Sequence, residues 1–201
     1  MLILASTSQS RRELLTNAGL AFEIKAPGVD EDEVKLSLAA QRADAVAIAT
    51  TLAELKATRV SARFPESFTI GGDSTLACDG RLFDKPPTLA AAREQLLALR
   101  GKTHQLVSSV VVAKGGARIW HHTETARLTM RPFSESFLDA YLKEAGETVT
   151  TSVGAYRLES VGANLFSQIE GDYFTILGLP LLPLLSFLAG HGIGLGQHEC
   201  L

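Results

Sequence analysis

The stretch that most constrains this chain is an apolar run that breaks into hydroxyls and then arginines: Leu2-Ile3-Leu4-Ala5-Ser6-Thr7-Ser8-Gln9-Ser10-Arg11-Arg12-Glu13-Leu14-Leu15. Leu2 to Ala5 leads through a small polar turn into a helix. Ser10 and Glu13 have the Ser-x-x-Glu spacing of a capping box, which predicts a helix starting at Ser10. Backbone N–H groups at a helix start lack intrahelical partners and carry the positive end of the macrodipole. Ser6, Thr7 and Ser8 add hydroxyl donors beside them, and Arg11 and Arg12 add two permanent charges. Basic residues in a first turn oppose the dipole unless an anion sits among them. The stretch therefore reads either as an anion pocket, best suited to phosphate, or as a strand–turn–helix whose arginines stand in solvent.

Chain-wide properties narrow the classes. At 201 residues there is length for one domain or a compact pair of lobes with a packed core. A net charge of -3 gives no general attraction to nucleic acid or acidic membranes, so any basic site must be local. Cys78 and Cys200 are too few for a disulfide framework and lack metal-site spacing. The start, Met1-Leu2-Ile3-Leu4-Ala5, has no basic region ahead of its short apolar run, unlike a signal peptide. The most apolar segment, 174–189, is interrupted by Pro180 and Pro183 and falls short of a bilayer span. A soluble cytoplasmic protein is the expectation.

Phe22 to Ala26 alternates as a half-buried strand does and ends at Pro27-Gly28. The acids of Val29-Asp30-Glu31-Asp32-Glu33 read as a loop, either simply solvated or lending a carboxylate to a hard divalent cation. From Leu36 to Arg63 the chain reads as one long helix, with Ala47, Leu52, Leu55 and Val60 on its apolar side. Lys56 lies within it, where a lone lysine is ordinarily a solubilising residue. Phe68-Thr69-Ile70 predicts a short strand, with Gly71-Gly72-Asp73-Ser74-Thr75 just past its end. That leaves Asp73 either at the strand edge where α/β folds place active groups or as a structural turn aspartate.

Asp79-Gly80 between two apolar triplets is a hairpin signal. Thr88 predicts a cap for a helix to about Leu99, closed by Gly101. Gly101-Lys102-Thr103 lacks the upstream glycine of a P-loop. Strands follow over 104–114 and 117–130 around Gly115-Gly116, and His121 and His122 fall on opposite faces, so they cannot share a metal. Ser134 predicts another capped helix stopping near Gly146. The chain then runs through short irregular pieces to an apolar helix opened by Leu179-Pro180-Leu181.

Eight pieces, in order, carry a resemblance. They are Ser6-x-Ser8 with Arg11 and Leu14-Leu15, the pair Asp30-Glu31, Leu52-Ala53-x-x-Lys56-Ala57, Gly72-Asp73, Lys85-Pro86, Gly101-x-Thr103-His104, Gly154-Ala155-Tyr156, and Glu170-Gly171-Asp172-Tyr173 with Gly178-Leu179-Pro180-Leu181. Together they resemble the Maf family of nucleotide pyrophosphatases, also called septum formation inhibitor proteins, over nearly the whole chain. The resemblance implies a single α/β domain over residues 1–201, with an elongated curved mixed sheet flanked by helices and a cleft between two lobes. It implies metal-dependent hydrolysis of nucleoside triphosphates between the α and β phosphates, giving a nucleoside monophosphate and pyrophosphate. It also implies a cytoplasmic homodimer; a nucleotide-binding regulator of septum formation with little hydrolysis is the alternative.

Carried onto this sequence, the resemblance makes Asp73, Lys56 and Lys85 catalytic. Ser6, Ser8, Ser10, Arg11, Ser74 and Glu159 become substrate-binding residues, and Glu31 and Asp73 ligands to Mg²⁺ or Mn²⁺. Arg11, Lys56 and Lys85 would neutralise phosphate charge, and Ser6 and Ser8 would hold non-bridging oxygens. Asp73 would be the proton acceptor, although a carboxylate bound to a cation is a poorer base, so it acts either as base or by positioning a water. Base preference stays open. Ser10, Ser74 and Glu159 depart from the Arg, Thr and Gln that mark the dTTP/UTP-preferring branch, and Glu159 is similar to the 7-methyl-GTP branch.

Overall fold

The computed structural model describes residues 1–195; Cys200 lies outside them. Among the described residues, seven strands form one mixed sheet: β1 (Leu2–Leu4), β2 (Glu23–Ile24), β3 (Phe68–Cys78), β4 (Arg81–Phe83), β5 (Thr103–Lys114), β6 (Ala117–Met130) and β7 (Phe166–Glu170). Their order is β2-β1-β3-β5-β6-β7, with β4 on β3. β1 runs parallel to both neighbours, Leu2 facing Phe68 and Ile3 facing Glu23. The β3–β4 and β6–β7 pairs are antiparallel. The helices are α1 (Gln9–Asn17), α2 (Glu31–Ala40), α3 (Ala45–Ser61), α4 (Leu89–Leu99), α5 (Glu135–Ala145), α6 (Tyr173–Ile176) and α7 (Leu181–Ala189). This is the α/β class expected from the sequence.

The chain divides into two compact units. Among the described residues the first holds 1–74, 108–124 and 178–195; the second holds 75–107 and 125–177. Three of the four boundaries fall inside β3, β5 and β6, and the fourth lies between α6 and α7.

Several local expectations change in the first unit. Helix α1 begins at Gln9 with Ser8 as its N-cap, so Ser10 is not the cap. Glu13 does not fold back to make a capping box; its Oε1 accepts from Gln9 Nε2 at 2.7 Å. β2 keeps only two residues, both exposed, because it is the edge of the sheet. The acids at 30–33 are not a loop. Asp30 Oδ1 accepts the Glu33 N–H at 3.1 Å and caps α2, whose first-turn carboxylates complement the dipole.

The long helix is two. Arg42 takes φ 57, and Asp44 Oδ1 accepts the Ala47 N–H at 2.8 Å, which starts α3 afresh. Its buried apolar stripe is Ile48, Ala49, Leu52, Ala53, Ala57 and Val60, while Ala47 and Leu55 are exposed. β3 does not stop at Ile70 but runs on through Gly71, Gly72 and Asp73. The two glycines serve close packing inside an extended strand rather than a turn. Ile3, Ala5 and Val60 form one buried cluster of this unit, and Ala53, Ala57, Val111 and Ala113 another.

The second unit follows the sequence more closely. Asp79 and Gly80 take φ 50 and 75, the paired positive values of a tight hairpin turn. Thr88 Oγ1 accepts the Ala91 N–H at 3.1 Å and caps α4, and Ser134 caps α5 in the same way. Leu96, Leu99, Leu106, Leu128, Met130 and Leu138 are among the buried residues of its core. β7 is not foreshadowed by the sequence. Leu128 faces Ile169 across the β6–β7 pair, but Ile169 is exposed and its neighbours Gln168 and Glu170 are polar, so the strand lacks an apolar pattern.

His104 is buried in this unit, with Nε2 2.9 Å from the Tyr156 hydroxyl and its ring against Tyr156 and Phe166. Burial pulls its pKa down to about 4 and pushes the Tyr156 phenol up. A depressed folded value means the stabilisation is complete above the unfolded value near 6.5 and is lost as pH falls toward 4. The loss is on the order of 3 kcal/mol over that window. His104→Gln, which keeps a partner for Tyr156, is expected to flatten the fall in urea-unfolding stability between pH 7 and pH 4. Equal slopes in parent and variant would place the acid-sensitive proton elsewhere.

Candidate active site

β1 and α1 deliver the first cationic group. Ser6 follows the end of β1 and is buried, and Arg11 comes from the first turns of α1. Arg11 is 8 % exposed, so this arginine does not stand in solvent, whereas Arg12 beside it does. Its Nε donates to the Gly178 carbonyl at 2.8 Å, Nη2 to Ser74 Oγ at 3.0 Å and Nη1 to Ser6 Oγ at 3.5 Å. Ser6 Oγ also accepts the Ser8 N–H at 3.2 Å, tying the hydroxyl turn to the same cluster. Burial lowers the Arg11 pKa, and the negative charges of Asp73 and Glu31 push it back up. The guanidinium therefore stays charged in a buried place.

Two glycines make room for this. A Cβ on Gly72 would stand 2.9 Å from Arg11 Nε, so the bare backbone is what lets the guanidinium lie along β3. Gly178 has φ 103, a backbone that aims its carbonyl at Arg11 and that side-chain-bearing residues rarely adopt.

The second group comes from α3 against β3. A Cβ on Gly71 would be 2.3 Å from the Ala53 carbonyl oxygen, so α3 lies directly on the strand there. Lys56 is one turn beyond Ala53, and Asp73 is two residues beyond Gly71 on the same face of β3. Lys56 Nζ donates to Asp73 Oδ1 at 2.7 Å and also meets Glu31 Oε1, from the first turn of α2, at 2.7 Å. Lys56 and Asp73 are both buried, and Glu31 is 42 % exposed at its side chain. Lys56 is thus no solubilising lysine. Its ammonium is the shared counter-ion of two carboxylates.

Ser74 joins the cluster through its hydroxyl, which also lies 2.9 Å from the buried Ser108 Oγ on β5. The first unit therefore brings together Ser6, Ser8, Arg11, Glu31, Lys56, Asp73 and Ser74. Ser10 is half-buried in α1, one residue before Arg11. Lys85 and Glu159 belong to the second unit, Lys85 on the segment after β4 and Glu159 accepting from Arg157 Nε at 2.8 Å. His121 and His122 take no part; His122 Nε2 pairs with Glu124 at 2.9 Å. Sequence reasoning misses two contributors, the Gly178 carbonyl and Ser108. The one signal for Ser108 is a pair of small hydroxyls, Ser108-Ser109, breaking a run of valines.

The carboxylates of Glu31 and Asp73 converge on one cation and offer hard oxygen donors. That set suits a divalent ion taking one or two carboxylates and completing its shell from phosphate oxygens and water. Among the described residues no group of three or more His, Cys, Asp or Glu forms a cage that would hold such an ion unaided.

Residues 1–191 match the model of the family described as Maf-like protein. The chain belongs to the Maf family. Its similarity to other Maf proteins runs nearly end to end. A nucleoside triphosphate pyrophosphatase of Paramagnetospirillum magneticum is 56% identical over 190 residues, covering 94% of this chain and 98% of that one. One of Caulobacter vibrioides is 53% identical, covering 94% of each chain. A 7-methyl-GTP pyrophosphatase of Rhizobium etli is 50% identical, covering 93% and 94%. The two substrate names thus occur among Maf relatives of similar distance. Among the described residues no helix is long and apolar enough to cross a membrane.

Proposed function

We propose that this Maf protein is a nucleoside triphosphate pyrophosphatase, hydrolysing the α–β phosphate bond to give a nucleoside monophosphate and pyrophosphate. The observation that carries the reading is the buried set of Arg11, Lys56 and Asp73 beside the hydroxyls of Ser6 and Ser74. The names of its relatives support it.

The chemistry needs the triphosphate's charge offset, the α-phosphate held still, and a proton taken from water. Three of the five N–H donors of Arg11 are spent on Gly178, Ser74 and Ser6, so its charge is presented by a fixed group. Ser6 and Ser8 offer further donors to phosphate oxygens. In the free protein Asp73 Oδ1 accepts from Lys56; with substrate bound, the Asp73 carboxylate would orient a water and accept its proton. Lys85 would add charge at the phosphates. A Mg²⁺ or Mn²⁺ bound by Glu31 and Asp73 supplies charge neutralisation and a more acidic water.

The base stays between an ordinary nucleotide such as dTTP or UTP and 7-methyl-GTP, both substrate names being found among the relatives. A cytoplasmic homodimer completes the reading, on the family resemblance. The test incubates the protein with Mg²⁺ and dTTP, UTP, CTP or 7-methyl-GTP and resolves the products. Monophosphate and pyrophosphate are expected; diphosphate and orthophosphate overturn the reaction class. Tight binding without turnover overturns it in favour of a nucleotide-binding regulator.

A further inference from the structure

The ammonium of Lys56 already occupies the two carboxylates that would hold a divalent ion. It meets Asp73 Oδ1 and Glu31 Oε1 at 2.7 Å each, and its side chain is 6% exposed. Mg²⁺ binds carboxylate oxygens at about 2.0–2.1 Å. An ion held by the same two carboxylates would have to share their charge with that ammonium. Arg11, whose charge feels both carboxylates, adds a second fixed cation nearby. Two carboxylates facing two resident cations have little net attraction left for a third. The balance changes when a triphosphate enters, because its oxygens compete for both side chains.

We infer that Lys56 is a resident counter-ion that excludes free divalent cations from the Glu31–Asp73 pair, so that the metal is admitted only together with the triphosphate. The inference rests on reading this cluster as the phosphate and metal site. In the free protein Lys56 neutralises the two carboxylates. When a metal–triphosphate complex arrives, Lys56 transfers its hydrogen bonds to phosphate oxygens and frees the carboxylates for the ion. Lys56 is then a gate on metal binding in addition to a source of positive charge.

The experiment measures Mn²⁺ binding by titration calorimetry and by the EPR signal of free Mn²⁺, with no nucleotide present. The parent is expected to bind Mn²⁺ weakly and Lys56→Met about tenfold tighter or more, the scale of removing one unit charge at this separation. Lys56→Met/Glu31→Gln should lose that gain, which ties it to the two carboxylates. With a non-hydrolysable α,β-methylene triphosphate the parent should recover tight Mn²⁺ binding. If the bare carboxylates destabilise Lys56→Met, its Tm should rise more steeply with added Mn²⁺ than the parent's. Unchanged or weaker Mn²⁺ affinity in Lys56→Met, or no excess rise in Tm, overturns the inference. Diphosphate among the parent's products would instead reject the pyrophosphatase reading and leave the metal-binding result to be judged alone.

Discussion

Asp73→Asn is expected to lower kcat about 10²–10⁴-fold, the usual worth of a positioned general base. The amide keeps the shape of the side chain and can still accept from Lys56 Nζ, now 2.7 Å from Asp73 Oδ1. It cannot take a proton from water at neutral pH. The metal-free nucleotide should still bind, because removing a negative charge beside Lys56 makes the site more attractive to phosphate, whereas the divalent ion loses one of its two carboxylates. The predicted pattern at saturating Mg²⁺ is therefore a collapse of kcat with KM little changed, the mark of an interaction made only in the transition state. Stability should fall by about 1–3 kcal/mol, since a buried ion pair becomes an ammonium–amide hydrogen bond while Glu31 still meets Lys56. Pyrophosphate release under Mg²⁺ and urea unfolding measure the two effects. Full activity in the variant would remove Asp73 from the reaction. A loss confined to KM would make it a binding residue.

How much of this molecule is legible in its sequence follows physical locality. Caps and tight turns are settled by a few adjacent residues, and Thr88, Ser134 and Asp79-Gly80 all announce their roles in the residue order alone. Ser10 misleads because a capping box is only a spacing, and Glu13 has a competing partner one turn away in Gln9. The break in the long helix is hidden in an alanine-rich run; its signals, Asp44 as a cap and Arg42 at positive φ, carry no glycine or proline. The site is legible as residue types, and its topology is not. Asp73 sits inside a strand, and Lys56 is buried against it, because two glycines admit a helix and an arginine to the same strand. No local pattern separates a glycine that turns the chain from one that lets something lie on it. Gly178 and Ser108 depend wholly on contacts to Arg11 and Ser74 made from elsewhere in the chain.

That distinction gives the largest stability effect expected here. Gly71→Ala should lower stability by about 3 kcal/mol or more, beyond the ordinary cost of overpacking. The new methyl would lie 2.3 Å from the Ala53 carbonyl oxygen and 2.7 Å from the Ala57 nitrogen, both backbone atoms of α3. No rotamer change relieves a clash with helix backbone, so strand and helix must part. The gain from a stiffer unfolded chain, about 0.4–1 kcal/mol for Gly to Ala, is too small to offset this. For a chain of this length the Tm should drop by about 6–12 °C. Activity should go with it, since the same contact sets Lys56 against Asp73. Gly72→Ala is the matched control. Its methyl meets the Arg11 side chain at 2.9 Å and no backbone atom, so its loss of stability should be the smaller of the two. Displacing the guanidinium by about 1 Å should still cost up to about 10²-fold in turnover. Calorimetry and pyrophosphate release on the pair separate the two glycines. A Gly71→Ala variant that melts with the parent would mean α3 does not rest on β3 at Gly71, and the contact that seats Lys56 on Asp73 would have to come from elsewhere.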